Sequence, residues 1–296
     1  MTLTRLSASP TGRLDEDVVY TTTDFAKVAA QLYRLAGIQL TEANERMVYA
    51  RLSARVLQLG FGDFASYLDW AFRSEDPEEI DLFISALTTN TTHFYREHHH
   101  FEYLETEILP DLIARAEAGH RVRIWSAGCS TGEEPYSLAS CLLNAFPKAT
   151  QHDLKILATD VDRSALDRAR SGRYSTNSLR KLPPAFLDKY FEPVTGTEQW
   201  TPKAELQSMI TFRHLNLIGD WPFSGRFDVI FCRNVAIYMD SDTQERLWTR
   251  FRDALHPGGH LFIGHSERLS RSLRTSMLTV GNTIFQRTPM DVANQA

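Results

Sequence analysis

The sequence predicts an α/β domain preceded by an all-α domain, and three observations support this architecture. First, apolar residues recur with a helical period from Asp24 to Leu87. Second, strand-like and helix-like segments alternate after Gly119, as they do around parallel sheets. Third, a chain of 296 residues accommodates about two domains of ordinary size.

The predicted domain bounds follow from changes in periodicity. The first residues are polar and aperiodic, and small hydrogen-bonding residues interrupt the helical pattern after Leu87. We expect a disordered tail at 1–20, a helical domain at 21–88, a linker at 89–100, and an α/β domain at 101–296 with a small antiparallel β insertion at about 172–214.

The second predicted helix combines an apolar stripe with three arginines. The stripe consists of Val48, Leu52, Val56 and Leu59, and Gly60 ends the helix. The arginines Arg46, Arg51 and Arg55 project from its other faces. A solvated basic face is the ordinary interpretation, and a docking surface for acidic helices is the more specific one.

Residues 121–137 (R-V-R-I-W-S-A-G-C-S-T-G-E-E-P-Y-S) predict a buried strand, a tight turn and a helix. Gly128 and Gly132 allow the backbone to turn sharply and to approach a ligand without a Cβ in the way. A flat ligand of about the size of adenosine would fit beside such a turn.

The two acids after this turn argue against a dinucleotide. Glu133 and Glu134 would repel a pyrophosphate, which the helix N-terminus otherwise favours. They can accept hydrogen bonds from a ribose or from the amino group of S-adenosylmethionine. With Pro135 they also suit an ordinary helix start, and the local sequence leaves both interpretations open.

Polar residues also follow the next predicted strands. Asp160 ends the strand that begins at Leu154, where a carboxylate typically accepts hydrogen bonds from the ribose of an adenosine ligand, either NAD or S-adenosylmethionine. Asp162 is more simply a helix cap than half of a metal pair. Arg233, Asn234 and Tyr238 follow the strand at 226–232 and are further site candidates, although Asn234 would also suit a helix cap.

Composition restricts the function classes. The net charge of -5 gives no general attraction to nucleic acid, although a local basic face remains open. We find no apolar run long enough for a membrane span and no signal segment, so we expect a cytoplasmic protein.

Three cysteines without C-x-x-C spacing predict structural thiols. Consecutive His98, His99 and His100 cannot converge on one ion from a helix, so no metal is expected.

Together the motifs resemble the CheR family of chemotaxis receptor methyltransferases from about Thr22 to Arg287. The residues that carry the resemblance are T-T-N-T-T-H-F-Y-R-E (88–97), W-S-A-G-C-S-T-G-E-E-P-Y-S (125–137), A-T-D-V-D (158–162), F-C-R-N-V-A-I-Y (231–238) and G-H-S-E (264–267). Five motifs in this order are specific for the family.

The resemblance implies a class I S-adenosylmethionine-dependent, Rossmann-like methyltransferase domain. It further implies methyl transfer to glutamate side chains in the cytoplasmic domains of chemotaxis receptors, with S-adenosylhomocysteine as product and no direct membrane insertion. The positions matching the family's cofactor contacts are Asn90, Thr92, Arg96, Glu134, Asp160, Asn216, Leu217, Arg233 and Asn234. Arg96 and Tyr238 match the pair beside the reacting methyl group, and Arg46, Arg51 and Arg55 lie on the helix implicated in receptor docking.

The sequence departs from the family pattern at two places, and we weighed three competing functions. Ala54 and Leu57 lie on the otherwise basic side of the second helix, and the turn at 195–199 is shorter than in members whose β insertion grips a receptor tail.

A nucleic acid methyltransferase is disfavoured by the acidic balance and by the missing N-P-P-Y-like motif. The glycine pattern and the two glutamates disfavour an NAD oxidoreductase, and the complete set of site motifs disfavours a non-catalytic receptor-binding relative.

Overall fold

A computed structural model describes residues 18–74 and 76–289, which form two compact units. One unit contains the described residues up to Thr89 together with Tyr238–Asp240. The other contains Asn90–Ile237 and the described residues from Ser241 onward. No helix within these described ranges is both long and apolar enough to cross a membrane.

The predicted tail is too long at its C-terminal end. Residues 1–17 lie outside the described part of the chain, but Val18 and Tyr20 are buried. The ring centroid of Tyr20 lies 4.5 Å from that of Phe64, and the Val19 N–H donates to the Gly62 carbonyl at 3.1 Å. The aromatic contact offsets the entropy cost of ordering residues 18–20. The polar composition of the preceding residues gave no sign of this contact.

The N-terminal unit contains four α-helices, as predicted. Their bounds are α1 Thr22–Ala36, α2 Glu45–Gln58, α3 Phe64–Ser74 and α4 Pro77–Leu87. In α2 the stripe residues Val48, Leu52 and Val56 are fully buried, whereas Leu59 follows the helix end and is half-buried. The Asp76 side chain caps α4 by accepting from the Glu78 N–H, as the Asp-Pro pair predicts.

The second unit contains a mixed sheet flanked by helices. Its helices are α5 His99–Tyr103, which continues through a π-helical turn into α6 Leu109–Glu117, then α7 Glu133–Ala145, α8 Arg163–Ser171, α9 Thr176–Leu179, α10 Pro184–Tyr190, α11 Ala204–Ser208 and α12 Ser241–Ala254. Its strands are β1 Val122–Ala127, β2 Leu154–Asp160, β3 Tyr174–Ser175, β4 Phe191–Pro193, β5 Gln199–Pro202, β6 Ile210–His214, β7 Phe227–Cys232, β8 Leu255–Ile263, β9 Met277–Gly281 and β10 Ile284–Arg287.

The sheet order β6-β2-β1-β7-β8-β10-β9 confirms the α/β prediction. Strands β6, β2, β1, β7 and β8 pair in parallel, and β10 and β9 form the predicted antiparallel hairpin. From the central strand β1 the chain first builds one side of the sheet and then crosses to β7 on the other. Such a reversal opens a crevice at the carboxyl ends of the strands, where ligands bind in open α/β sheets.

The β insertion is smaller than predicted. Strands β3, β5 and β4 form a separate antiparallel sheet, which agrees with an insertion. The segment at 209–213 was predicted to belong to it, but β6 instead pairs in parallel with β2, with Ile210 opposite Ile156. The buried side chains Ile210 and Phe212 alternate with exposed ones, as expected for an edge strand of the main sheet.

A buried carboxylate fixes the loop that follows β7. Glu267 is 3% exposed and accepts hydrogen bonds from the backbone N–H groups of Asn234, Val235 and Ala236 at 3.0, 2.9 and 2.7 Å. It also accepts from the Gly264 N–H at 2.6 Å. Burial raises the pKa of Glu267, and these four donors partly oppose that rise. Glu267 thus orders the segment 234–236, which carries the predicted site residue Asn234.

Replacing Glu267 with Gln should destabilise the fold by about 2–4 kcal/mol, because one amide oxygen cannot serve four buried donors and the NH₂ group would face some of them. Urea unfolding of the full chain would measure this change. Glu117→Gln, at an exposed position at the end of α6, is the matched control and should change stability by less than about 0.5 kcal/mol. Equal stability of the two variants would contradict this role of Glu267.

Candidate functional site

The predicted glycine turn lies at the carboxyl end of β1 and requires its glycines. Gly128 and Gly132 have φ values of 81° and 96°, in the left-handed region. A Cβ on Gly128 would lie 2.3 Å from Val235 Cγ2, so another residue would displace the loop after β7. The turn is fastened to β2 because the N–H groups of Gly128 and Cys129 both donate to the Thr159 carbonyl.

Asp160 ends β2 beside this turn. One carboxylate oxygen accepts from the Ser130 N–H at 2.7 Å, and the other accepts from the Asp162 N–H at 2.9 Å. Burial raises the pKa of Asp160 to about 6, although these hydrogen bonds favour the ionised form. Each oxygen keeps a second lone pair, with which an ionised carboxylate can accept from a ligand hydroxyl.

Asn90 joins three of the predicted motifs. Its Nδ2 donates to Asp162 Oδ2 at 2.6 Å, while its carbonyl accepts from Ser130 Oγ at 3.2 Å. The other Asp162 oxygen caps α8 through the Ala165 N–H, which confirms the predicted helix cap. The linker is thereby tied to the ends of both β1 and β2.

Glu134 forms a buried ion pair with Arg233. Its Oε2 accepts from Arg233 Nε at 2.8 Å, and its Oε1 accepts from Ser126 Oγ at 2.7 Å. Both side chains are at least nine-tenths buried. Glu134 therefore does more than begin α7, because it links the helix to β1 and β7. The neighbouring Glu133 accepts from Thr131 Oγ1 at 2.6 Å, and burial raises its pKa.

Arg233 also organises the segment around Arg96. Its Nη1 donates to the Arg96 carbonyl and, at 3.3 Å, to His100 Nδ1. Burial and the nearby guanidinium lower the pKa of His100 to about 3, so this imidazole stays neutral and can accept that hydrogen bond. His100 Nε2 then donates to Thr283 Oγ1 at 2.9 Å.

The residues on either side of Arg96 adopt an unusual backbone conformation. These two neighbours, Tyr95 and Glu97, have φ values of 53° and 57°, which non-glycine residues seldom adopt. Such strain concentrates at functional sites, where surrounding contacts enforce it. Here Tyr95 is fixed from both sides, since its N–H donates to Ser137 Oγ and its hydroxyl contacts Ser140 Oγ. The Arg96 side chain donates to the Thr91 carbonyl at 2.9 Å.

The remaining cofactor candidates lie at the same edge of the sheet. Asn216 and Leu217 follow β6, and the Leu215 N–H donates to the Asp160 carbonyl at 3.0 Å. Asn234 follows β7 with φ 60°, and its buried Oδ1 has no hydrogen-bond partner within the described ranges. Thr92 is half-buried in the linker. The second unit thus brings together all nine predicted cofactor residues at the ends of β1, β2, β6 and β7 or in the linker that is tied to them.

The other predicted residues belong to the N-terminal unit. Tyr238 is 38% exposed, and its carbonyl accepts from the Gln39 N–H at 2.7 Å. On α2, Arg46 is exposed, but Arg51 donates to the carbonyls of residues 86–88 and Arg55 pairs with the buried carboxylate of Glu79. Arg51 and Arg55 therefore have structural partners that helical periodicity could not reveal.

Sequence reasoning missed four residues of the site. Ser126 and His100 contact the Glu134–Arg233 pair, Glu97 accepts from His265 Nδ1 at 2.9 Å, and Glu267 fixes the loop after β7. Burial alone would raise the pKa of Glu97, but the hydrogen bonds from His265 and the charge of Arg233 lower it. The quoted motifs contain three of these residues, Ser126, Glu97 and Glu267, and polarity within a motif was the available signal.

The prediction of no metal remains a prediction. The three consecutive histidines do not form one group, but ligand atoms of Glu97, His99 and His100 lie within 4.8 Å of one another. Glu97 joins them because its left-handed backbone precedes the helix, which the helical argument did not consider. Arg233 Nη1 lies 3.9 Å from Glu97 Oε2, and this fixed positive charge opposes a cation there.

Cysteines have no visible chemical role in this site. Cys129, Cys141 and Cys232 are buried and free of disulfides, in agreement with structural thiols. Burial raises the pKa of Cys129, which lies in the glycine turn, so the thiol is not activated as a nucleophile.

The site has the chemistry that S-adenosylmethionine requires. The glycine turn allows close approach of a ligand, Asp160 offers acceptors for ribose hydroxyls, and Asn234 presents an unpaired buried amide oxygen. Carboxylates at the start of α7 disfavour a pyrophosphate, as the sequence predicts. The donor and acceptor set therefore fits an adenosyl ligand without phosphates.

Comparison with known proteins identifies both units. Residues 23–88 match the family model for the CheR methyltransferase all-alpha domain, and residues 90–285 match that for the CheR methyltransferase SAM binding domain. The probable chemotaxis protein methyltransferase of Rhizobium etli is 42% identical over 90% of this chain and 100% of its own length.

Two further relatives extend the match to other bacteria. Chemotaxis protein methyltransferase 2 of Pseudomonas aeruginosa is 42% identical over 92% of this chain and 95% of its own length. The chemotaxis protein methyltransferase of Escherichia coli is 38% identical over 92% and 93%, respectively. The chain therefore belongs to the CheR methyltransferase family and is an S-adenosylmethionine-dependent methyltransferase.

Proposed function

We propose that the chain methylates glutamate side chains in the cytoplasmic domains of chemotaxis receptors, which gives glutamate methyl esters and S-adenosylhomocysteine. The relatives are named chemotaxis protein methyltransferases. The observation that carries the proposal is the joining of the linker, glycine turn, Asp160 and Glu134–Arg233 pair at one edge of the sheet.

The reaction requires alignment of two groups and no general base. The bound cofactor supplies an electrophilic methyl group on a sulfonium. A receptor carboxylate, ionised at neutral pH because its reference pKa is about 4.3, forms the new C–O bond as the S–CH₃ bond breaks towards sulfur. The protein must therefore hold the two reactants in line and exclude water.

We assign roles to the residues at the sheet edge by their position and chemistry, and to Tyr238 by its place in the F-C-R-N-V-A-I-Y motif alone. Asp160 accepts hydrogen bonds from the ribose hydroxyls, and Glu134 provides negative charge near the cationic end of the cofactor. The remaining proposed cofactor contacts are Asn90, Thr92, Arg96, Asn216, Leu217, Arg233 and Asn234. Arg96 also holds a carboxylate, of the cofactor or of the substrate, and Tyr238 helps to position the acceptor glutamate.

The pH dependence of cofactor binding tests the role of Asp160. Because its pKa is about 6 without ligand, the carboxylate must lose a proton to accept two hydroxyl hydrogen bonds. We expect affinity for S-adenosylhomocysteine to fall about tenfold between pH 7.5 and pH 5, and Asp160→Asn to bind weakly with little pH dependence. Calorimetric titration measures both. The same pH dependence in Asp160→Asn would assign the titration to another group.

Arg96 can be tested by separating turnover from binding. Arg96→Ala should lower methyl transfer to receptor fragments about 100-fold or more, because a charged donor beside the reacting groups is lost. Unfolding in urea should change by less than about 1 kcal/mol, since the side chain makes one hydrogen bond to the Thr91 carbonyl. Arg96→Lys is the matched control and should recover part of the rate.

Either of two results would count against these assignments. Wild-type transfer in Arg96→Ala would remove Arg96 from the reacting centre. Receptor binding without any transfer by the wild-type chain would favour a non-catalytic receptor-binding function.

Docking should depend on Arg46 more than on the other two arginines of α2, because Arg51 and Arg55 already have partners. Arg46→Ala should weaken binding of acidic receptor fragments about two- to fivefold at low salt, with a smaller effect at 0.5 M salt. Arg73→Ala, at an exposed position on α3, is the control. Receptor affinity that does not change with ionic strength would make this charge incidental.

A further inference from the structure

A second concave surface lies at the amino ends of the strands, at the edge of the sheet opposite the cofactor residues. It is an open cavity of about 1030 Å³ within the second unit. The starts of β1, β2 and β7 line it through Arg123, Ile156 and Phe227, and His256 of β8 also lines it. None of the predicted cofactor residues is among its lining residues.

The lining of this amino-end cavity is cationic. Its charged lining residues are Arg115, Arg121, Arg123, Lys155 and Arg226, and none of its lining residues is acidic. His120 and His256 also line the cavity. Such a concentration is unexpected in a chain whose net charge is -5.

Two nearby acids neutralise only part of this charge. Asp153 Oδ1 lies 2.5 Å from Arg123 Nη2, and its Oδ2 lies 3.6 Å from Arg121 Nε. Asp228 Oδ1 accepts from Arg115 Nη1 at 2.6 Å. Five cationic side chains against two carboxylates leave three positive charges.

Anchored and exposed cations combine in this cavity. Arg123 is held by the carbonyls of Val122 and Asp153, and Lys155 donates to the Ser208 carbonyl. The Arg121 side chain is 75% exposed, and Arg226 is also exposed. Like charges in one cavity repel one another, and a bound anion would relieve this repulsion without reorganising the anchored side chains.

The chemistry of the cavity selects a class of ligand. Guanidinium groups bind phosphates with paired hydrogen bonds, and several of them can share one polyphosphate chain. The apolar floor includes Ile156, Leu157 and Phe223, and the volume is ample for a small organic molecule. We propose that this amino-end cavity binds a small molecule bearing two or more phosphates, such as a nucleoside di- or triphosphate.

The test uses the full chain saturated with S-adenosylhomocysteine, so that the adenosyl site is filled. Calorimetric titration with ATP, GTP, inorganic triphosphate and uncharged adenosine should show binding of the phosphorylated probes only, weakening as salt rises. Similar affinities for ATP, GTP and triphosphate would identify the phosphates as the recognised group. Tighter binding of one nucleotide would show that the apolar floor also recognises the base.

Charge reversal localises the site. The double variant Arg121→Glu with Arg226→Glu should bind the tightest probe at least about tenfold more weakly, because two attractive charges become repulsive. Arg271→Glu, an exposed reversal elsewhere in the second unit, should bind as wild type. Methyl transfer should persist in the double variant, so that failure of this proposal is distinguishable from failure of the proposed methyltransferase function.

Three results with the phosphorylated probes would overturn the proposal. They are absence of binding by all phosphorylated probes at millimolar concentration, equal binding by the double variant and wild type, and displacement of S-adenosylhomocysteine by the nucleotides. Binding of a glutamate-rich peptide but not of triphosphate would also overturn it and would indicate that an acidic protein segment occupies the cavity.

Discussion

The buried ion pair between Glu134 and Arg233 connects most of the candidate site. Its partners lie 99 residues apart in the chain, one at the start of α7 and the other at the end of β7. Two charges in such a place are tolerated only when they are paired and further hydrogen-bonded. Ser126, the Arg96 carbonyl and neutral His100 provide those additional bonds. Removing one member would leave the other charge buried, at a cost of about 3–5 kcal/mol.

This pair also explains why the linker adopts its conformation. Arg233 reaches the backbone of Arg96, whose two neighbours have positive φ values. Asn90 fixes the beginning of the same linker through Ser130 and Asp162. The linker is therefore fastened at both ends by side chains that belong to the carboxyl edge of the sheet. These contacts maintain the backbone strain at Tyr95 and Glu97 and thereby fix the position of Arg96 in the linker.

The sequence predicted the elements well because periodicity and turn chemistry are local properties. The glycine turn, the cap of α8 by Asp162 and the hairpin of β9 and β10 were all evident from neighbouring residues. Long-range pairing was not evident. Nothing near 210–214 distinguishes an edge strand of the main sheet from a strand of the insertion. The partner of Ile210 in the sheet is Ile156, which lies 54 residues earlier in the chain. Arg51 and Arg55 likewise look solvated in a helical projection, whereas their partners lie on or just after α4.

The two edges of the main sheet differ in charge: carboxylates gather at the carboxyl edge and arginines at the amino edge. Carboxylates that follow parallel strands, such as Asp160 and Glu134, gather at the carboxyl edge, where turn N–H groups and Arg233 stabilise them. Arginines that precede the strands, such as Arg121 and Arg226, gather at the amino edge for the same topological reason. Because parallel pairing aligns all strand starts on one side, single charges that are scattered in the sequence become a concentrated field in the fold. The same strand order that creates a site for a cationic cofactor thus creates, at its other end, a surface suited to anions.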